Sequence, residues 1–170
     1  MLLSWGKPNI FVKDLDEAGA KVRKLYTPVE DSTSLETSEG DKNEAKIEGG
    51  AIEDVMYKKS TFSLNCEIRM VKGRKKPFND KDGLVAHNYE VWVQPAENED
   101  GWGLHISKAS VSVNTTYTTA DGIKQTIKFA ALENDTTTQL EIGTVSVTGT
   151  DGNYVPAIVP IEAVSEKGEA

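Results

Sequence analysis

Ser60-Thr61-Phe62-Ser63-Leu64-Asn65-Cys66-Glu67-Ile68-Arg69-Met70 alternates without a break. Phe62, Leu64, Cys66, Ile68 and Met70 fall on one face, and Thr61, Ser63, Asn65, Glu67 and Arg69 on the other. A period of two belongs to a strand with one dry and one wet side. The same period returns at Tyr89, Val91 and Val93, at Val111, Val113, Thr115 and Tyr117, and at Ile123, Gln125, Ile127 and Phe129. Asp121-Gly122 between the last two runs is a hairpin signal, because both residues tolerate the positive φ that a tight turn requires.

Outward from this core of strands, Asn9 to Lys13 and Lys21 to Thr27 are short β-branched or aromatic runs around a turn at Asp14 to Gly19. Between Leu140 and Ile142 on one side and Val145 and Val147 on the other, the alternation slips by one residue. That slip predicts a bulge at Gly143. One short helix is expected at Lys81 to His87, capped by Asn79 or Asp80 and held to two turns by Gly83. Tyr154 to Ile161 reads as a last edge strand carrying Pro156 and Pro160. The expected fold is mainly β: a β-sandwich or barrel with one short flanking helix and a long early loop. At 170 residues it forms a single domain over 1–170.

Charge is unevenly spread. Glu30 to Asp54 holds nine acidic residues against two basic ones, nearly the whole net charge of −8. Within it, residues 33–54 form a long acidic loop, read as two arms paired into a ribbon with Ser38 to Asn43 at the tip. A loop of that length with little apolar content is functional or disordered more often than not. Lys58, Lys59, Arg69, Lys72, Arg74, Lys75 and Lys76 follow as a cationic counterpart. Two poles of unlike sign on one chain favour head-to-tail contact between copies, which builds rings or filaments.

The candidates for chemistry are few. Cys66 is the only cysteine, which rules out an internal disulfide, and it sits on the dry face of its strand. His87 and His105 are the only histidines and show no metal-ligand spacing. Glu48-Gly49-Gly50 lacks the Lys-Ser/Thr that completes a phosphate-binding loop. Glu97 to Gly101 reads as a turn, since it lacks the spaced ligands of a calcium loop. A hydrolase built on loop carboxylates ranks lowest, because nothing anchors them across a cleft. The negative charge argues against a general nucleic-acid-binding surface. No catalytic residue, cofactor, metal or membrane span is expected, and no signal peptide is read at the start. A carbohydrate- or surface-binding β-sandwich module using Trp92 or Trp102 is the alternative reading; Trp5 completes the tryptophan set.

Thr27-Pro28-Val29-Glu30-Asp31-Ser32-Thr33-Ser34-Leu35-Glu36-Thr37, then Gly40-Asp41-Lys42-Asn43-Glu44-Ala45 and Ile47-Glu48-Gly49-Gly50, resembles the long loop of tail tube proteins from long-tailed phages and prophages. Tyr57-Lys58-Lys59-Ser60 opening a long strand, and the Asp121-Gly122 hairpin leading to Phe129-Ala130-Ala131-Leu132, extend the likeness. The resemblance implies a non-enzymatic virion protein of the tail, assembled in the host cytoplasm. Its hexameric rings would stack into a hollow tube that contacts other tail proteins and passes DNA without specific binding. It also implies subunit-binding arms, here residues 1–12 and 161–170, and a loop that reaches the next ring. On this chain the ring-stacking surface is expected to place Glu36, Glu39, Asp41, Glu44 and Glu48 near Lys58, Lys59, Arg74, Lys75 and Lys76.

Overall fold

The computed structural model describes residues 6–95, 101–134 and 136–164. The five-residue run Ser110 to Asn114 shows how the sequence becomes a wall: Val111 and Val113 are buried while Ser112 and Asn114 face outward. Repeated over neighbouring strands, this alternation produces an all-β, sandwich-like fold. The strands are β1 (Pro8–Asp14), β2 (Arg23–Lys24), β3 (Ser34–Ser38), β4 (Lys42–Lys46), β5 (Ile52–Tyr57), β6 (Thr61–Met70), β7 (Leu84–Pro95), β8 (Trp102–Thr118), β9 (Gly122–Ala131), β10 (Leu140–Thr148) and β11 (Val155–Pro160). Nine join one sheet in the order β2-β1-β7-β8-β9-β6-β3, with β10 on β8 and β11 on β10. β4 and β5 form a two-stranded sheet of their own.

The large sheet curls because one segment serves both of its margins. Arg23 and Lys24 pair with Val12 and Phe11 of β1, and the Leu25 amide donates to the Ile10 carbonyl at 2.8 Å. Ten residues later Leu35 pairs with Leu64 of β6, after the Val29 amide has donated to the Glu67 carbonyl at 2.8 Å. The chain from Arg23 to Ser38 therefore closes the strands around the main core. That core takes Ile10 and Val12 from β1, Leu64, Cys66 and Ile68 from β6, Val91 from β7, Val111 from β8, and Ile127 and Phe129 from β9. Phe78, from the loop after β6, fills its end with edge-to-face contacts to Tyr89 (4.9 Å) and Phe129 (5.7 Å).

A second cluster lies on the opposite face of β1 and β7. The first part of β8 carries β10, and β10 with β11 lies over Phe11 and Trp92, burying them with Val22 and Val145. A bridge between Val22 and Tyr154 and the edge-to-face contact of Phe11 with Tyr154 at 5.1 Å fasten this flap.

Four expectations need correction. Among the described residues there is no helix: Lys81 and Leu84 pair across a turn in which Asp82 (φ 53°) and Gly83 (φ 83°) both take left-handed conformations. A helix cannot pass through two such residues, so β7 begins at Leu84. The acidic loop is not a ribbon with its tip at residues 38–43. β3 pairs with β6, and the hairpin is β4 with β5, turning at Glu48-Gly49-Gly50. No bulge occurs at Gly143, whose registers with Gly103 and Pro160 are continuous. A Cβ there would lie 2.1 Å from the Val159 carbonyl oxygen, so this glycine permits close strand approach. The slip instead marks a change of core: Leu140 packs on the main core and Val145 in the second cluster. Finally, residues 8–12 of the expected N-terminal arm belong to buried β1, and residues 161–164 are exposed. Trp5, Glu97 to Asp100 and residues 165–170 lie outside the described residues.

Candidate functional site

The β4–β5 hairpin is held together by its own ladder and by its base. Tyr57 pairs with Lys42 and Met56 with Asn43, and the Lys58 amide donates to the Asp41 carbonyl at 2.9 Å. At the far end the Gly50 amide donates to the Ile47 carbonyl at 3.1 Å. Yet every residue of β4 is exposed, and all of β5 except Val55. Ile47, Ile52, Met56 and Tyr57 are at least half exposed, at 50–69%. A two-stranded ribbon with solvent on both faces is marginal on its own. This arm gains no apolar cover from the body that carries it.

Seven of the ten expected ring-stacking residues gather at one end of β6. Glu36 lies on β3, Glu39 in the connection to the arm, Asp41 at the arm's base, Glu44 on β4, Glu48 at the tip, and Lys58 and Lys59 where the arm returns. Some of this charge is satisfied locally. Glu44 meets Lys42 at 2.7 Å and Lys46 at 3.7 Å, and Lys59 pairs with Glu133. The other three, Arg74, Lys75 and Lys76, are exposed in the loop that follows the opposite end of β6. The Arg74 guanidinium donates to the Arg69 carbonyl at 3.1 Å and stacks 4.8 Å over the Tyr26 ring, while Lys76 faces Asp80 at 3.7 Å. Ten strand residues separate the two groups, roughly 30 Å. Within one chain the acidic arm and the Arg74–Lys76 loop are therefore not neighbours.

The wet side of β6 extends across the sheet. Asn65, Glu67 and Arg69 pair with Lys128, Thr126 and Lys124 of β9, which pair in turn with Ser112, Asn114 and Thr116 of β8. Three cations stand against one carboxylate on this wall, so the chain's excess of carboxylates does not lie here.

The remaining candidates are structural in their surroundings. Cys66 is fully buried, and burial, with the Glu67 charge adding to it, pushes its thiol up to about 12. Trp92 is 6% exposed and stacks on His105 at 5.3 Å, while Trp102 is 54% exposed. His105 lies between Glu90 (2.7 Å) and Glu141 (3.5 Å), joining three strands through side chains that the sequence reading had not brought together. Cross-strand register, Trp92 to His105 to Glu141, is the signal that assembles them, and it exists only once the strands are ordered. No group of three or more His, Cys, Asp or Glu side chains among the described residues could hold a metal ion.

No protein-family model matches this chain, and no curated protein matches it.

Proposed function

We propose that the chain is a structural subunit that assembles with copies of itself, as a tail tube protein of a long-tailed phage or related injection machine, into stacked hexameric rings around a conduit for DNA. The observation that carries this reading is the arm: a hairpin exposed on both faces, with apolar side chains that its own body leaves uncovered. The opposed placement of the acidic arm and the Arg74–Lys76 loop supports head-to-tail stacking, since the attraction can be satisfied only between molecules. The carbohydrate-binding alternative is weakened at Trp92, whose ring is buried against His105 and offers no stacking face.

Negative-stain microscopy of the purified protein tests the reading directly. Rings or tubes are expected from the unmodified chain. Reversal of charge at Asp41, Glu44 and Glu48 together should leave single rings and an unchanged unfolding temperature. Tubes of normal length from that variant would reject the stacking role of the arm, and a strictly monomeric unmodified protein would reject the function.

A further inference from the structure

His105 is a titratable side chain shut inside the structure, 8% exposed, at the seam where the flap of β10 and β11 meets the wall. β8 carries it between two neighbours, with Trp92 of β7 opposite on one side and Glu141 of β10 opposite on the other. Nε2 lies 2.7 Å from Glu90 Oε1, and since a carboxylate only accepts, Nε2 carries the proton of that bond. Nδ1 is buried, makes no hydrogen bond, and has Glu141 Oε1 3.5 Å away. The stacked Trp92 ring holds the imidazole edge-on to both carboxylates.

The number of protons on the ring decides what this corner can do. A neutral imidazole has one N–H, and Glu90 takes it. Nδ1 then turns a lone pair toward the Glu141 carboxylate, two acceptors facing each other in a buried place. An imidazolium has a second N–H with Glu141 in front of it. Bringing that pair from 3.5 Å to the roughly 2.8 Å of a charge-assisted bond asks for a movement of about 0.7 Å in β10 or its side chain. The other charges nearby are Lys13, which pairs across the strands with Glu90, and Lys21, both in the cleft beside Tyr154. Carboxylates and lysines ordinarily stay charged, and tyrosines neutral, between about pH 5.5 and pH 8, so the imidazole is the member of this group that changes.

The flap has few other fastenings. Besides its ladder with β8 and the contacts of Tyr154, it is held by a cluster of four buried residues and by Gln94, whose side-chain amide donates to the Val145 carbonyl at 3.0 Å. One charge-assisted bond is a large share of such a seam.

We propose that His105 is a proton-operated clasp between wall and flap: charged, it bonds Glu90 and Glu141 together and seats β10–β11 on Phe11 and Trp92; neutral, it releases Glu141 and the flap opens more often. The clasp works within one chain and does not depend on assembly with copies.

Hydrogen exchange followed by mass spectrometry tests it. The ratio of protection in β10 and β11 to protection in β6 and β9 cancels the intrinsic pH dependence of exchange. In the unmodified chain that ratio should be on the order of tenfold higher at about pH 5.5 than at about pH 8, the worth of one hydrogen bond to a charged group. The difference should persist in His87→Ala, which leaves His105 as the only histidine. It should vanish in Glu141→Gln, whose amide donates to a neutral ring and accepts from a charged one, and in His105→Gln, which has no proton to gain. An equal ratio at both pH values in the unmodified chain, a difference abolished by His87→Ala, or one kept in full by Glu141→Gln would each overturn the clasp.

Discussion

His87 Nδ1 lies 2.7 Å from Asp14 Oδ2, joining the end of β1 to the beginning of β7. Next to it the Asn88 amide donates to Asp16 Oδ2 at 2.7 Å and the Leu15 amide to the Asn88 carbonyl at 2.9 Å. The hydrogen bond and charge of Asp14 raise the His87 pKa above 6.5. Desolvation pushes Asp14 up, but the hydrogen bonds from His87 and the Asp16 amide outweigh it and hold its carboxyl below 3.8. The raised histidine contributes stability that is complete below 6.5 and lost as pH climbs through its folded value. The depressed aspartate contributes stability that is present above 3.8 and lost as pH falls through its folded value. His87→Ala should therefore lower the unfolding temperature at about pH 5.5 and leave it unchanged at about pH 9. An equal deficit at both pH values in thermal scans would show that the pair is not the cause.

Gly40 sets the base of the arm. A Cβ on this residue would come within 1.9 Å of the Lys58 carbonyl oxygen and 2.7 Å of that of Lys59, both main-chain atoms with no room to give. Gly40→Ala is thus expected to open the Asp41–Lys58 closure and release the hairpin, at a local cost of about 1–3 kcal/mol. Amide exchange at Lys58 should accelerate, while residues of the main core keep their protection because neither cluster includes the arm. Unchanged exchange at Lys58 would refute this account of the glycine.

What the sequence made legible was whatever a strand decides for itself. The dry face of Leu64, Cys66 and Ile68, and the Asp121-Gly122 turn, where Gly122 has φ 72°, follow from local pattern. Pairing does not. Ser34 to Ser38 alternates equally well for β4 or β6 as neighbour, and it lies on β6 because Leu35 there packs against the main core. The missed helix had a local cue. Asp82-Gly83 is the same dipeptide as Asp121-Gly122, and as a two-residue turn it folds Lys81 back on Leu84 instead of continuing a helix. The candidate stacking residues were legible as charges but not as places: only the length of β6 shows that Arg74 to Lys76 lie far from the arm.

The main core and the exposed side of the flap differ in what they hold. Phe129 is fully buried on β9, touches Phe78, and lies where β9 is paired on both sides, with Leu64 of β6 and Val111 of β8. Phe129→Ala should cost about 3–5 kcal/mol in urea unfolding, the usual toll for an emptied aromatic site. Val159→Ala, on the exposed side of the flap, should stay within about 0.5 kcal/mol. Comparable losses from the two would mean that β10–β11 is as central to folding as the main core.

Cys66 turns that difference into a rate. With its thiol pushed up to about 12, the thiolate that an alkylating reagent requires is nearly absent in the folded protein at neutral pH. Its side chain is also sealed inside a strand paired with Leu64 to Met70 against Ile123 to Phe129, so reaction must wait for β6 and β9 to separate. Labelling followed by mass spectrometry should then be slow in buffer and prompt in denaturant. When opening and closing are fast, labelling tracks the population of the open state. A Phe129→Ala loss of about 3 kcal/mol should accordingly speed it by roughly a hundredfold, at 1.4 kcal/mol per factor of ten. Gly40→Ala, acting on the arm alone, should leave the rate where it was. Prompt labelling of the folded protein, or equal acceleration by both variants, would show that the wall around Cys66 opens locally and that arm and body are not the separate units described above.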